Sequence, residues 1–308
     1  PPVGWSYLAW VAPVTWLMLV VQPVLPGRRP YRALWLGGAL YWLLAAHWIR
    51  LPHPANYIAW VALATYLGAY LPALVALSRV GVQRLRLPLA VVAPVVWVGL
   101  DWLRGWLLTG FSMCSLCHSQ YENMWVIQIA DLGGEYLVTF VIVLVAAFIT
   151  ESLRMLATPG RRLEIVGQVI AASIVLGGSI AYSIFQCDVL HDSDALWQSR
   201  KIALIQGNTL ADWKSDPAKQ RQIMDEYVGL SVEATNNHAD VDLVIWPETS
   251  FRDALLTVEP GYTPPEELIS PTRLAATTNH LKLLVERLET AVLVGIDRVH
   301  IIPGEGGD

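Results

Sequence analysis

The chain has 308 residues, of which 54% are hydrophobic and 14 are tryptophan, and its mean hydropathy is +0.43, too apolar for a single soluble domain. Its charge is divided unevenly. Through Cys187 there are eleven arginines, no lysine and six acids, a net of +5, whereas from Asp188 onward ten basic residues meet twenty acids, a net of −10. This break predicts a membrane bundle over 1–187 followed by a water-soluble acidic domain over 188–308, and no basic face suggests a nucleic acid partner.

Six apolar segments are long enough, or nearly so, to cross a hydrocarbon core that needs ~20 helical residues. They cover about 5–25, 31–51, 57–78, 88–109, 127–150 and 165–186. Pro13, Pro72 and Pro94 fall inside spans, which bundles tolerate when neighbouring helices satisfy the freed carbonyls. The first segment lacks the basic stretch and small-residue cleavage site of a signal peptide. It also starts without an initiator Met, so the chain is expected to be cut at its amino end.

Arginines orient the bundle. Arg28, Arg29 and Arg32 follow the first span, Arg79, Arg84 and Arg86 the third, and Arg154, Arg161 and Arg162 the fifth, while the alternate loops carry only Arg50 and Arg104. Nine against two places the basic loops in the cytoplasm, with Pro1 and everything after the sixth span outside.

In the acidic part, Lys201 to Asn208 reads as a short buried strand ending in a polar turn. Asp216-Pro217 then supplies an N-cap and an N1 proline, and Ile223, Tyr227, Leu230 and Val232 keep an approximate helical period to Asn236-Asn237. Leu243-Val244-Ile245-Trp246 suits a strand buried on both faces. Pro247 ends it, so Glu248 emerges at the carboxyl end, where α/β enzymes commonly place reactive side chains. From this segment alone, a general base and a solvated acid that merely follows a strand are both open. The stretch 259–272 reads as a loop, 274–289 as a helix and 291–295 as a third strand, after which the chain stops midway through an α/β layer.

Several motifs together resemble bacterial apolipoprotein N-acyltransferases, integral membrane enzymes with a nitrilase-like (carbon–nitrogen hydrolase) domain. In the bundle these are Trp102 to Phe111, Ser119-Gln120 and Gln128 to Gly134; in the soluble part, Gln206-Gly207-Asn208 and Trp246-Pro247-Glu248-Thr249. The resemblance covers nearly the whole chain, whereas any one motif alone is unspecific. It implies a polytopic α-helical membrane bundle plus an α/β domain, a nitrilase-like αββα sandwich that is incomplete here. It further implies eight spans, one before the six seen and one after the soluble domain.

The implied activity is acyl transfer from a phospholipid to the amino group of an apolipoprotein's N-terminal diacylglyceryl-cysteine, through a thioester on the enzyme. The family uses a Glu, a Lys and a Cys. The Glu matches Glu248, while the Lys and Cys belong to later segments, so the chain by itself is expected to be inactive. Gln206, Asn208 and Trp246 are expected to support the site, the first two through backbone hydrogen bonds. The implied partners are a phospholipid acyl donor, a diacylglyceryl-modified apolipoprotein and the bilayer of the inner membrane, with the soluble domain in the periplasm. No cofactor and no metal is expected. A membrane-tethered nitrilase-type amidase is the nearest alternative. The chain departs from the family at Ser215, where a Trp usually precedes Asp-Pro and Trp213 lies two residues earlier, and over Ser112 to His118, usually more aliphatic and aromatic.

That second departure contains Cys114-Ser115-Leu116-Cys117-His118, the C-x-x-C-H spacing of covalent haem attachment. The competing readings are a haem-carrying or scaffolding membrane protein, a disulfide or metal pair, and plain loop residues. Cys187, at the membrane exit, is expected to be structural or incidental. Asp101 and Arg104, spaced i, i+3, are expected to pair and position a helix near the interface. His47 and His53 read as interfacial residues, and Asp297, Arg298 and His300 as loop residues unrelated to Glu248.

Overall fold

The computed structural model describes residues 4–156, 162–194, 199–208, 217–238, 240–248, 251–265 and 269–302. They fall in two compact units, Pro1–Leu196 and Trp197–Asp308.

The first unit is helical. It comprises α1 (Leu8–Val21), α2 (Pro30–Ala45), α3 (Asn56–Gly68), α4 (Tyr70–Arg79), α5 (Leu89–Trp106), the single turn α6 (Met124–Ile127), α7 (Ala130–Leu156) and α8 (Arg162–Asp194). Among the described residues, four stretches are long and apolar enough to cross a membrane: Asn56–Arg84, which joins α3 and α4, then Leu89–Trp106, Ala130–Leu156 and Leu163–Asp188. Each of the six expected spans contains a helix, but α1 and α2 have 14 and 16 residues, short of a full crossing. Proline chemistry sets these limits. The backbone turns extended at Gln22 before Pro23, and α2 begins on Pro30 and gives way to a 3-10 turn, His47–Arg50, ahead of Pro52 and Pro54.

Helix ends leave carbonyls without intrahelical partners, and α1 solves this with a basic-loop residue. The Arg79 guanidinium donates to the carbonyls of Leu19 (2.9 Å), Gln22 (2.6 Å) and Pro23 (3.0 Å), and the Gln83 amide donates to Val20 and Gln22, both at 2.9 Å. Arg79 therefore both carries part of the charge bias and caps α1. Val14, Leu17 and Val20 of α1 pack with Val75, Ala93, Val143 and Ala146 from α4, α5 and α7 to form the main core. Between α2 and α3 the backbones nearly touch, since a Cβ on Gly38 would lie 2.7 Å from the Gly68 carbonyl oxygen. Small residues permit such approaches where lipid offers helices no hydrophobic drive to associate. Leu163, Ile170, Ile174 and Phe185 of α8 stay exposed, as lipid-facing side chains would.

In the second unit, β1 (Ile202–Leu204), β2 (Leu243–Ile245) and β4 (Ala291–Leu293) form a parallel sheet in the order β1-β2-β4, with Ala203, Val244 and Val292 in register. Helices α9 (Pro217–Asn237) and α10 (Pro271–Leu288) contribute Ile223, Tyr227, Leu284 and Leu288 to the core around Val244. Ser270 caps α10 by accepting from the Arg273 amide, and Pro271 follows it at the first helical position. The opposite face of the sheet is open, with Ile202, Leu204 and Leu293 all exposed. Hence β2 is fully covered on one face and half-covered on the other, rather than buried on both as its run of apolar residues predicts.

Phe251–Val258 is a strand, β3, and pairs in parallel with β5, Ile296–Ile301. Asp297, Arg298 and His300 are therefore strand residues, not loop residues. The Arg298 side chain donates to Thr257 Oγ1 (3.0 Å), and the His300 ring contacts Thr257 Oγ1 (3.0 Å) and Glu259 Oε2 (2.6 Å). These cross-strand polar contacts hide the strand signal by replacing apolar alternation with charge.

Asp242 closes the start of the sheet. It accepts from the Lys201 backbone amide and from Arg200, both at 2.9 Å, and beside it Lys201 pairs with Asp240. The Lys201 amide and then the Arg200 guanidinium hold the Asp242 carboxyl below its ordinary range. Because the native group titrates below the unfolded one, its stabilisation is complete above about pH 4 and fades as the pH falls through the native value. Asp242→Asn should therefore leave the thermal midpoint in micelles less sensitive to acid between neutrality and about pH 3 than in the parent chain. Identical acid profiles would contradict this assignment.

Candidate active site

Glu248 lies two residues beyond Trp246, at the carboxyl end of the central strand β2. Placement at this end follows from chemistry, because Pro247 has no amide proton with which to extend the ladder. Trp246 is the last residue to pair, its amide donating to the Leu293 carbonyl (2.9 Å). Its indole is buried, donates to Ser231 Oγ (2.8 Å) and packs 5.2 Å from the Tyr227 ring and 6.1 Å from Phe251. Trp246 thus fixes the strand end from which Glu248 projects. Ser231 Oγ in turn donates to the Tyr227 carbonyl (2.7 Å), so the tryptophan sits on a satisfied polar pair inside an apolar core.

Trp246→Phe should remove one buried hydrogen bond and cost about 1 kcal/mol, whereas Trp246→Ala should cost about 3–5 kcal/mol through the cavity it leaves. Denaturant unfolding of the solubilised chain separates the two. Equal losses would mean that the ring's packing is not what holds this strand end.

Glu248 itself is exposed, and so are Gln206 and Asn208. Among the described residues neither the Gln206 nor the Asn208 side chain makes the hydrogen bond expected of it. The segment is anchored instead by the Ile205 amide, which donates to the Ile245 carbonyl (2.9 Å), and by packing of Gly207. Gly207 is buried against the Tyr227 ring, where a Cβ would come within 2.7 Å of Cε2, and Asn208 adopts a left-handed φ of 48°. Gln206-Gly207-Asn208 is a motif because glycine alone fits under Tyr227. The poorly solvated pocket that a carboxylate base needs is not built from the described residues of this unit. Trp213 and Ser215 lie outside the described residues.

In the helical unit, the sequence motif around Trp102–Phe111 proves to be a loop clamp. Arg104, only 3% exposed, donates to Asp101 Oδ1 (3.0 Å) and to the Met113 carbonyl (2.8 Å), and its guanidinium lies 5.2 Å from the Trp42 ring centroid. Its own carbonyl accepts from the Phe111 amide (2.9 Å). Gly110 completes the turn with φ 83°, since a Cβ there would fall 2.2 Å from the Gly105 oxygen. Helix positioning, expected for Asp101 and Arg104, is what these contacts provide. Beside the pair is a cavity of about 290 Å³ lined by Trp16, Tyr41, Trp42, Trp97 and Leu100.

Gln120, fully buried, was legible only as part of a motif. Its side chain accepts from Trp10 Nε1 (3.2 Å) and donates to the Ser6 carbonyl (2.9 Å) and Ser119 Oγ (2.8 Å), tying the loop to the start of α1. Its burial could not be read from the polar run His118 to Asn123 that contains it; burial demands the partners that only the fold supplies. His47 and His53 engage local backbone, His47 Nδ1 near the Leu44 carbonyl (3.0 Å) and His53 Nδ1 accepting from the Ala55 amide (3.1 Å).

Cys114, Cys117 and Cys187 are free thiols. Cys114 lines the cavity beside Arg104, while Cys117 is 5% exposed among Val126, Ile129 and Val138. A haem would have to displace that apolar cluster to reach the Cys117 sulfur, so the C-x-x-C-H reading does not suit this loop.

A helical membrane unit followed by a parallel α/β unit with a carboxylate at the end of its central strand defines a polytopic membrane protein carrying an α/β domain. The family profile described as "Apolipoprotein N-acyltransferase N-terminal domain" matches residues 1–148. Relatives named "Apolipoprotein N-acyltransferase" include those of Rhodopirellula baltica (29% identity, 93% of this chain and 52% of the relative), Geobacter metallireducens (31%, 92% and 53%) and Gloeobacter violaceus (32%, 82% and 48%). Along most of its length the chain is similar to apolipoprotein N-acyltransferases, and it spans about half the length of the curated relatives it matches.

Proposed function

We propose that the complete protein transfers an acyl chain from a phospholipid to the N-terminal diacylglyceryl-cysteine amine of apolipoproteins, through a thioester acyl-enzyme, with Glu248 as general base. The observation that carries this reading is the Trp246-Pro247-Glu248 terminus of the middle strand in a chain similar to this family. The lysine and cysteine implied by the family are not assigned to any residue of this chain.

The chemistry accounts for each group. A thiol near its ordinary pKa is mostly protonated at neutral pH, so a carboxylate must take its proton as sulfur attacks the ester carbonyl. The carbon–sulfur bond forms, the ester C–O bond breaks, and the lysophospholipid leaves with the proton. The acceptor amine then attacks the thioester and restores the thiol. A lysine at the oxyanion would contribute about 3–4 kcal/mol, in line with one oxyanion donor. Low water access favours the amine over hydrolysis. For Glu248 this requires cover, and the open apolar face at Ile202, Leu204 and Leu293 is the surface that an αββα sandwich packs against a second sheet. The tryptophan-lined cavity beside Asp101 and Arg104 has the chemistry for one stretch of an acyl chain, apolar along its walls and charged at one end.

The reading puts the bundle in the bacterial inner membrane and the α/β unit, from Trp197 on, in the periplasm, supported by the nine-to-two arginine bias. All lysines of the chain lie at or beyond Lys201, so an impermeant amine reagent should label it only from the periplasmic side of oriented vesicles. Labelling solely from the cytoplasmic side would overturn the orientation. For the reaction, the complete protein in phospholipid vesicles should add the mass of one acyl chain to the terminal amine of a diacylglyceryl-cysteine peptide. A peptide that stays unmodified would overturn the function.

A further inference from the structure

We infer that Cys117, His118 and Glu135 form a binding site for a divalent transition metal ion, zinc being the best fit, on the loop side of the helical unit. Cys117 and His118 lie in the 3-10 turn Leu116–Gln120. Glu135 lies just past Gly133–Gly134, where the backbone departs from helical angles and Gly134 takes φ 62°, and this break sets the carboxylate against the turn.

His118 Nε2 is 3.0 Å from Glu135 Oε2, Cys117 Sγ is 3.7 Å from the same oxygen, and the three donor atoms all lie within 4.8 Å of one another. Zinc bonds of about 2.0–2.3 Å in tetrahedral geometry require donor–donor edges of roughly 3.3–3.7 Å. The nitrogen- and sulfur-to-oxygen edges already lie near that range, and the sulfur-to-nitrogen edge, within 4.8 Å, would have to close by about 1 Å at most, within reach of side-chain rotation in the exposed His118. The donor types agree. One thiolate, one imidazole and one carboxylate select zinc or its transition-metal neighbours, whereas magnesium and calcium take oxygen ligands.

Exposure is graded across the site. Cys117 is buried and braced by the apolar cluster of Val126, Ile129 and Val138, Glu135 is half-buried, and the His118 side chain is 50% exposed. An ion would reach the site from the His118 side and complete its coordination there with water, three protein ligands and one open position being the pattern of accessible zinc sites. Binding would release the Cys117 proton and replace the His118–Glu135 contact by two bonds to the metal. It would staple the turn to α7. Cys114 takes no part, because it lines the cavity near Arg104 instead.

The test uses the tag-free 308-residue chain in detergent, stripped with chelator and titrated with zinc by calorimetry and with cobalt(II) by absorption. One equivalent should bind, cobalt should show a thiolate charge-transfer band, and zinc should raise the thermal midpoint. Cys117→Ser should abolish that band. His118→Ala, at an exposed position where metal-free folding should be unaffected, should weaken zinc binding at least about tenfold, and Glu135→Gln likewise. Cys114→Ser should bind as the parent does. The absence of a charge-transfer band, its survival in Cys117→Ser, its loss in Cys114→Ser, or unchanged affinity in His118→Ala would each overturn the site.

Discussion

Glu248→Gln in the complete protein should lower the rate of lipoprotein N-acylation about 10²- to 10⁴-fold, equivalent to roughly 3–5 kcal/mol of barrier. The substitution keeps size and hydrogen-bonding capacity and removes only the proton acceptor. It should leave folding intact, because Glu248 is exposed in its unit and the strand end is held by Trp246 rather than by the carboxylate. The matched control is Asp253→Asn. Asp253 is also exposed and sits 2.7 Å from His280 Nδ1, a contact that the amide preserves, so this variant should turn over as the parent does. A Glu248→Gln protein that forms acyl-enzyme at the parent rate, with Asp253→Asn impaired, would mean that the wrong carboxylate has been named.

Arg104→Leu should have the largest effect on folding. The guanidinium is buried, so its removal strands the Asp101 carboxylate and deprives the Met113 carbonyl of its donor. Breaking a buried pair from one side typically costs about 3–5 kcal/mol. Thermal unfolding in micelles should show this loss, and limited proteolysis should cut the 107–123 segment faster. Removing both charges, in Asp101→Leu with Arg104→Leu, should recover part of the stability but not the loop, because the Met113 carbonyl remains unpaired. A single Arg104→Leu variant as stable and as resistant to protease as the parent would contradict the clamp.

The two-part organisation and most helices were legible because they rest on composition and local chemistry. Pro217 opens α9, whose described length ends at Asn237 as its period predicts, and a loop separates β3 from α10, although the helix begins at Pro271, two residues inside the stretch that reads as loop. Pro247 marks the end of β2 for the same local reason. What escaped depends on contacts distant in sequence. β3 and β5 were missed because Arg252, Asp253, Asp297 and Arg298 interrupt the apolar alternation in the sequence, and the cross-strand contacts that join Thr257 to Arg298 and His300 appear only in the fold. The shortened α1 and α2 were hidden by flanking apolar residues that continue the hydropathy while prolines end the helix.

The site was legible by motif and not by geometry. Glu248 could be placed at a strand end from Pro247 alone, yet its surroundings depend on which surface covers the open face of the sheet. Likewise Cys117 and His118 could be singled out by spacing, but the spacing pointed to Cys114 as the partner. The structure turns Cys114 toward the cavity and brings in Glu135, 17 residues beyond His118, through a glycine break that no periodicity encodes.

The proposal stands or falls on whether acyl groups leave the complete protein on an amine rather than on water. The direct measurement follows a labelled acyl chain from phospholipid through the complete protein in the presence of excess diacylglyceryl-cysteine peptide, and divides the label between peptide amide and free fatty acid. A transferase with a water-poor thioester site places most of the label in the amide, and Glu248→Gln diminishes that product. Label recovered chiefly as free fatty acid at saturating peptide would show a hydrolase and contradict the account.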